Sequence, residues 1–128
     1  MIKKILVCFF LVLEGFAIQA PNKNDYENFK KSLLLTPVQN IIIKEIEVQT
    51  KKKNEILYQN LKKTHKEIVN YNNNCTNDCN KRLPELREEM KDIEKKIYNN
   101  YKKQDELIVE ILYPWQKKRY KEYRSRVY

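Results

Sequence analysis

The chain has 128 residues, and its 26 lysines and arginines outweigh 17 aspartates and glutamates to give a formal net charge of +9. Its single glycine, Gly15, is too little for the hairpin turns and bulges of a sheet protein of this size, so the composition predicts an all-helical fold. The same scarcity excludes a glycine-rich phosphate-binding loop, and the positive charge favours anionic partners.

The first twenty residues have the layout of a secretory signal peptide. Lys3 and Lys4 precede an apolar run over residues 5–13, and Ala17 and Ala20 supply small residues for cleavage. This apolar run is too short to anchor comfortably across a bilayer. We therefore expect residues 1–20 to be removed on export, to the periplasm or, outside Gram-negative bacteria, to the medium. Residues 21–128 would form one helical domain.

Helical spacing of apolar residues predicts a short first helix from about Asp25 to Leu34. Directly after it, the sequence Leu-Thr-Pro-Val-Gln at 35–39 predicts the start of a second helix. Thr36 is suited to be the N-cap, Pro37 suits the first helical position, and Gln39 can complete a capping box. Leu35, before the cap, can staple the incoming chain to the first turn.

The second helix is predicted to run to about Asn70. Its apolar stripe is interrupted by polar residues between Gln49 and Asn54, which predicts a surface helix that packs only at its two ends. The stripe comprises Ile42, Ile46, Leu57, Leu61 and Ile68, widened by Ile43, Ile56 and Val69.

An asparagine-rich loop is predicted over residues 72–80, followed by a third helix with Pro84 in its first turn and Asn80 as a plausible cap. From Leu83 to Ile111 the apolar positions alternate steps of three and four, as in a heptad seam. Because so small a monomer has little else to cover such a helix, we expect a second copy to cover the seam.

The sequence Leu-Tyr-Pro-Trp-Gln at 112–116 predicts the start of a final helix that carries Tyr120, Tyr123 and Val127. The predicted architecture is all-α, with two short and two long helices in a thin helical hairpin.

The pentapeptides at 35–39 and 112–116 echo each other at a separation of 77 residues, and each opens a basic and apolar helix. In this the chain resembles the LTxxQ family of bacterial periplasmic proteins, which includes the Spy- and CpxP-like chaperones and envelope-stress proteins. Two departures from the family pattern are Tyr113, which replaces a threonine and its capping hydroxyl, and Trp115, where a small or acidic residue is common. The motif residues carried over are Leu35, Thr36, Pro37, Gln39, Leu112, Pro114 and Gln116.

The resemblance implies a thin, cradle-like antiparallel homodimer that binds unfolded or misfolded proteins on a basic surface without ATP. Some members of the family restrain a sensor kinase, and some sense metals. We interpret the motif residues as structural, because a capping box shapes a helix start and does no chemistry. The candidate client-binding residues are Lys51, Lys52, Lys53, Lys62, Lys63 and Arg87.

Residues with reactive side chains give little support for an enzyme, a metal site or a cofactor. Cys75 and Cys79 favour a disulfide in an exported protein, within one chain or between subunits, although free or redox-active thiols stay possible. His65 is the only histidine, and a zinc site wants three or four protein ligands. The carboxylates of the third helix alternate with lysines and arginines, as on a solvated, ion-paired face.

The sequence therefore predicts an ATP-independent periplasmic chaperone or envelope-stress protein, with no nucleic-acid partner and at most peripheral membrane contact. Two alternatives stay open. One is a regulatory or metal-responsive subunit that docks on a membrane sensor protein, and the other is a eukaryotic secreted helical effector.

Overall fold

The computed structural model describes the backbone of residues 23–74 and 79–127 and the side chains of residues 24–74 and 81–126. Within these ranges the chain forms four helices and no strand, which confirms the all-helical prediction of two short and two long helices. The helices are α1 (Lys23–Ser32), α2 (Pro37–Asn73), α3 (Cys79–Glu110) and α4 (Pro114–Val127). No described helix has a stretch long and apolar enough to cross a membrane. The predicted signal peptide lies outside the described residues.

Helix α1 ends at Ser32, two residues before the predicted end. The backbone N–H groups of Leu33 and Leu34 donate to the carbonyls of Lys30 and Lys31, three residues earlier, at 3.1 and 3.2 Å. Leu34 then takes a left-handed conformation with φ of 52°. This region costs about 1–2 kcal/mol for a residue with a Cβ atom, so the turn between α1 and α2 holds local strain.

The long helices α2 and α3 form an antiparallel hairpin. Glu67 meets Arg82 near its closed end, and Asn54 meets Asn100 halfway along. Its middle, which we call the stalk, is centred on the buried Leu61 of α2 and Ile97 of α3, with half-buried apolar residues around them. At the open end, α1 and α4 join the hairpin and all four helices share a second core. That core comprises Leu33, Ile43, Ile108, Leu112 and Tyr120.

Most of the predicted apolar stripe of α2 is buried or half-buried, and the exceptions are Ile42 and Ile56, which are exposed. Of the consecutive isoleucines Ile41, Ile42 and Ile43, only Ile43 is buried, and Ile56 is 64% exposed. The predicted break in packing between Gln49 and Asn54 is also wrong, because Thr50 and Asn54 are buried against the rest of the fold. The side of α2 that carries Ile43, Leu61 and Ile68 packs inward, so the polar residues on the same side, Thr50, Asn54 and Thr64, are buried as well.

The seam of α3 is confirmed as the face that packs on α2, since Leu86, Ile97, Gln104 and Ile108 are buried. Because α2 of the same chain covers this face, the seam does not require a second copy to bury it, contrary to expectation. The start of α3 is corrected too. It begins at Cys79, five residues before Pro84, so the proline lies inside the helix. Near a helix start a proline removes only one early backbone hydrogen bond.

Candidate functional site: a glutamine clasp and an exposed strip of α2

The capping box predicted at the start of α2 is present in full. Thr36 is extended, and its hydroxyl accepts a hydrogen bond from the Gln39 backbone N–H at 3.1 Å. The Gln39 Oε1 atom in turn accepts from the Thr36 backbone N–H at 3.0 Å. Pro37 occupies the first turn, where it has no N–H to leave unsatisfied. This motif therefore fixes the direction in which α2 leaves the turn.

The second motif forms only one of the two bonds of a capping box. Gln116 Oε1 accepts from the Tyr113 backbone N–H at 2.8 Å, as Gln39 does for Thr36. Tyr113 has no hydroxyl near its backbone that could accept from the Gln116 N–H, and its side chain is exposed. The start of α4 is therefore capped only by the bond from the Tyr113 N–H to the Gln116 side chain.

The two motif glutamines also bind each other, in an arrangement that we call the glutamine clasp. Gln39 Nε2 donates to Gln116 Oε1 at 2.9 Å, and Gln116 Nε2 donates to Gln39 Oε1 at 3.1 Å. The remaining amide protons reach the Ile111 and Leu33 carbonyls, both at 3.0 Å. Each amide therefore donates twice and accepts twice, which satisfies a fully buried polar group.

The clasp joins the ends of all four helices. It takes acceptors just after α1 and α3 and donors from the residues just before α2 and α4. From the sequence, Gln39 and Gln116 were each predicted to hold only their own helix start, and the hydrogen bonds between them were not predicted. The repeated pentapeptide was the one indication, since two copies of one motif can pair through the same atoms.

Two buried or half-buried ion pairs join the short helices to the long ones, and in both the short helix supplies the cation. Lys30 of α1 binds Glu47 of α2 at 2.9 Å, and Arg124 of α4 binds Asp105 of α3 at 3.0 Å. Asp105 also accepts from the Tyr120 hydroxyl at 2.7 Å. Burial raises the pKa of the Tyr120 phenol well above its usual value, so it remains a neutral donor.

Aromatic contacts close the same end of the fold. Phe29 of α1 stacks on Tyr123 of α4 with ring centroids 4.1 Å apart and ring planes 6° from parallel. Such stacking, together with the ion pairs, holds the short helices against the hairpin. The two motif amides and the charged groups of the two ion pairs are thus bound to partners within the clasp end.

The surface available to a partner is the side of α2 that faces away from α3. Ile41, Val48 and Ile56 are exposed there, with Ile41 at 70%. At 100° per residue, these three and the exposed Lys52 and Lys63 fall within about 80° of one another and opposite the buried Ile43 and Leu61. We call Ile41, Val48, Lys52, Ile56 and Lys63 the outer strip.

The predicted client-binding cations are all exposed, but they do not form one face. Lys52 and Lys63 lie in the outer strip, while Lys51 and Lys62 lie on one flank of it. Lys53 lies on the other flank, where it lines a groove between α2 and α3 together with Lys103. Arg87 belongs to α3 and is exposed beside the buried Leu86. The exposed aliphatic residues of the outer strip were missed, because the sequence assigned Ile56 to the core.

His65, Cys75 and Cys79 were the candidates for metal binding or redox chemistry, and the described residues place no site around them. Among the described residues no group of three metal-ligating side chains comes together. His65 is half-buried, and burial lowers its pKa. Cys75 lies outside the described backbone and the side chain of Cys79 outside the described side chains. Their disulfide therefore stays a prediction.

Comparison with known proteins yields no relative. No family model matches the chain, and no curated protein and no solved structure is significantly similar to it.

Proposed function

We propose that the protein is an ATP-independent chaperone of the periplasm that holds unfolded or misfolded proteins on the outer strip of α2. The observation that carries the proposal is the exposure of Ile41, Val48 and Ile56 on a helix whose other side is fully packed. Exposed apolar side chains that together form a patch mark protein-binding surfaces, and these three are aligned on one face of α2. Here lysines alternate with them.

The mixture of aliphatic and cationic side chains supports weak, general binding. Lys52 and Lys63, with Lys51 and Lys62 on the flank, attract acidic segments of a partly unfolded chain over long range and speed encounter. Short contacts with Ile41 and Ile56 then shield apolar segments of the client from each other. Because the strip is one helix wide, it buries little area and releases the client without an energy source.

The likeness to LTxxQ proteins is consistent with this proposal. It rests on the residues of the glutamine clasp, which we propose to be the structural signature of the group, while the binding surface lies elsewhere on α2. Export by the predicted signal peptide would bring the chain to a compartment where ATP is absent and unfolded proteins still occur.

We still propose a homodimer, but through a different surface from the seam of α3. Since α2 covers the seam of α3, the aliphatic surface left for a second copy on α2 is the outer strip itself. A dimer through that strip would compete with clients. Added client should then dissociate the dimer, which sedimentation of a fluorescently labelled chain would detect as loss of the dimer species.

The test measures light scattering by a chemically denatured protein that is diluted with and without the full mature chain. We expect suppression of aggregation at low salt and weaker suppression at high salt, where the lysines are screened. The Ile41→Gln/Ile56→Gln double variant should lose most of the suppression. Both residues are exposed, so its thermal unfolding should stay close to that of the parent.

Two matched controls make this test specific. Leu107→Gln replaces a partly exposed leucine of α3, and Lys95→Glu/Lys96→Glu reverses two exposed lysines of α3, against Lys52→Glu/Lys63→Glu in the strip. Only the variants in the strip should weaken suppression. Absence of suppression by the parent chain at any ratio, or equal loss in the α3 variants, would remove the proposal.

A further inference from the structure

A second group of exposed apolar side chains surrounds the glutamine clasp, and we call it the apolar cap. It comprises Leu34, Val38, Tyr113 and Trp115, of which Leu34 is 75% and Trp115 45% exposed. Val38 and Trp115 directly precede Gln39 and Gln116, Tyr113 donates to the clasp, and Leu34 follows the carbonyl of Leu33 that accepts from it. The rigid clasp therefore holds all four at one end of the molecule.

Leu34 is unfavourable in two independent ways. It has the left-handed backbone conformation that favours glycine, and its aliphatic side chain is exposed to water. A glycine or asparagine at this helix end would relieve both problems. Strained residues that the fold holds in place concentrate at functional sites, so we look for a ligand that would cover Leu34 and its neighbours.

The charge beside the cap is mainly positive, because the two carboxylates near Leu34, Glu27 and Glu47, both bind Lys30. Lys31 lies one turn before Leu34, and its carbonyl accepts from the Leu34 N–H. On α4 the exposed Lys118 and Arg119 follow Trp115 by three and four residues and so share its side of the helix. The whole of α4 holds six basic residues and one acidic residue, Glu122. The ligand that complements this end is therefore both apolar and anionic.

We propose that the apolar cap docks the protein peripherally on the surface of an anionic lipid bilayer. Leu34 and Val38 would enter the acyl boundary, Tyr113 and Trp115 would lie at headgroup level, and Lys31, Lys118 and Arg119 would contact lipid phosphates. Tryptophan and tyrosine favour this interface, and apolar insertion combined with cations supplies the two contributions that stable peripheral binding requires. A second copy would bring like charges together at this end, so it complements the cap poorly.

This inference rests on other residues than the chaperone proposal, although Val38 lies one turn before Ile41 on the same side of α2. Docking through the apolar cap leaves the outer strip free from Val48 to Lys63, so the bound protein would present that part of α2 to unfolded chains. Trp115 is the only tryptophan in the chain, and its fluorescence therefore reports on the cap directly.

The experiment adds vesicles to the full mature chain and records Trp115 emission and co-sedimentation. Vesicles of phosphatidylcholine with phosphatidylglycerol should shift the emission to the blue and pellet the protein, whereas pure phosphatidylcholine vesicles should do neither. Lys118→Glu/Arg119→Glu should weaken binding at least about tenfold, since each basic residue near an anionic surface contributes roughly fivefold. Ile56→Gln, in the outer strip, should bind as the parent does.

The variant Leu34→Gly separates binding from folding. It removes the aliphatic side chain but suits the left-handed turn, so we expect weaker vesicle binding together with an unchanged or higher unfolding midpoint. Three results would overturn the proposal. They are no shift or pelleting with anionic vesicles, undiminished binding by Leu34→Gly and Lys118→Glu/Arg119→Glu, or an equal blue shift with soluble polyglutamate, which would assign the surface to an acidic protein.

Discussion

The clasp end and the stalk are built from the same two long helices, yet they bury different chemistry. At the clasp end four helices meet around Gln39 and Gln116, and even charged groups such as Arg124 are buried with partners. In the stalk only α2 and α3 pack, through Leu61 and Ile97. A two-helix layer covers one side of each helix, so the stalk must leave its outer side open. The clasp end thus fixes how the four helices meet, while the stalk leaves the outer side of α2 exposed.

The largest effect should come from the buried ion pair of the clasp end. Asp105→Ala removes the carboxylate that faces the buried Arg124 guanidinium and accepts from Tyr120. We expect a loss of about 3–5 kcal/mol in the free energy of unfolding, measured by urea denaturation. Glu47→Ala, on the more exposed pair, should lose about 1 kcal/mol, because Lys30 also has Glu27 as a partner. Equal losses would mean that burial does not distinguish the two pairs.

A smaller effect should follow from breaking the clasp. Gln116→Ala leaves the buried Gln39 amide without two of its bonds, and we expect a loss of about 2–3 kcal/mol by the same measurement. Gln59→Ala, an exposed glutamine of the stalk, should change stability by less than about 0.5 kcal/mol.

The double variant Gln39→Ala/Gln116→Ala sharpens this second prediction. If the two amides act as a pair, its loss should be smaller than the sum of the two single losses, since the second removal breaks no further mutual bond. Strict additivity would show that each glutamine only caps its own helix.

The smallest effect compares the two motifs within the clasp end. Thr36→Ala should lose about 1 kcal/mol, because the hydroxyl that accepts from Gln39 disappears. Tyr113→Thr should gain up to about 1 kcal/mol by completing the box at the start of α4. The thermal unfolding midpoints of both variants, compared with that of the parent chain, test these two predictions. A Tyr113→Thr variant that is less stable would show that the exposed tyrosine has a packing role.

The sequence predicts the helix starts, which depend on neighbouring residues, but it does not determine which residues of different helices contact each other. Thr36, Pro37 and Gln39 predict a helix start because the two capping bonds between Thr36 and Gln39 run within three residues. Most of the buried face of α2 followed from the sequence, but its first turns did not, since Ile41, Ile42 and Ile43 place an isoleucine in three different directions. The core formed with Leu33, Ile108 and Tyr120 selects Ile43.

The same distinction explains the candidate site. The predicted cations Lys52 and Lys63 are exposed as any lysine on an open helix would be, whereas their aliphatic neighbours become part of a surface only once the core is known. The clasp depends on two residues 77 positions apart, and a single sequence gives no measure of their distance. The echo of the two motifs shows their likeness and not their contact.

The most direct test of the account places a photo-crosslinking residue at position 56 of the outer strip or at position 95 of α3 and irradiates each protein with a denatured client. The account predicts abundant client adducts from position 56 and few from position 95, with both reduced when the client is native. Equal labelling from the two helices, or adducts from position 95 alone, would contradict the claim that the open side of α2 is the binding surface.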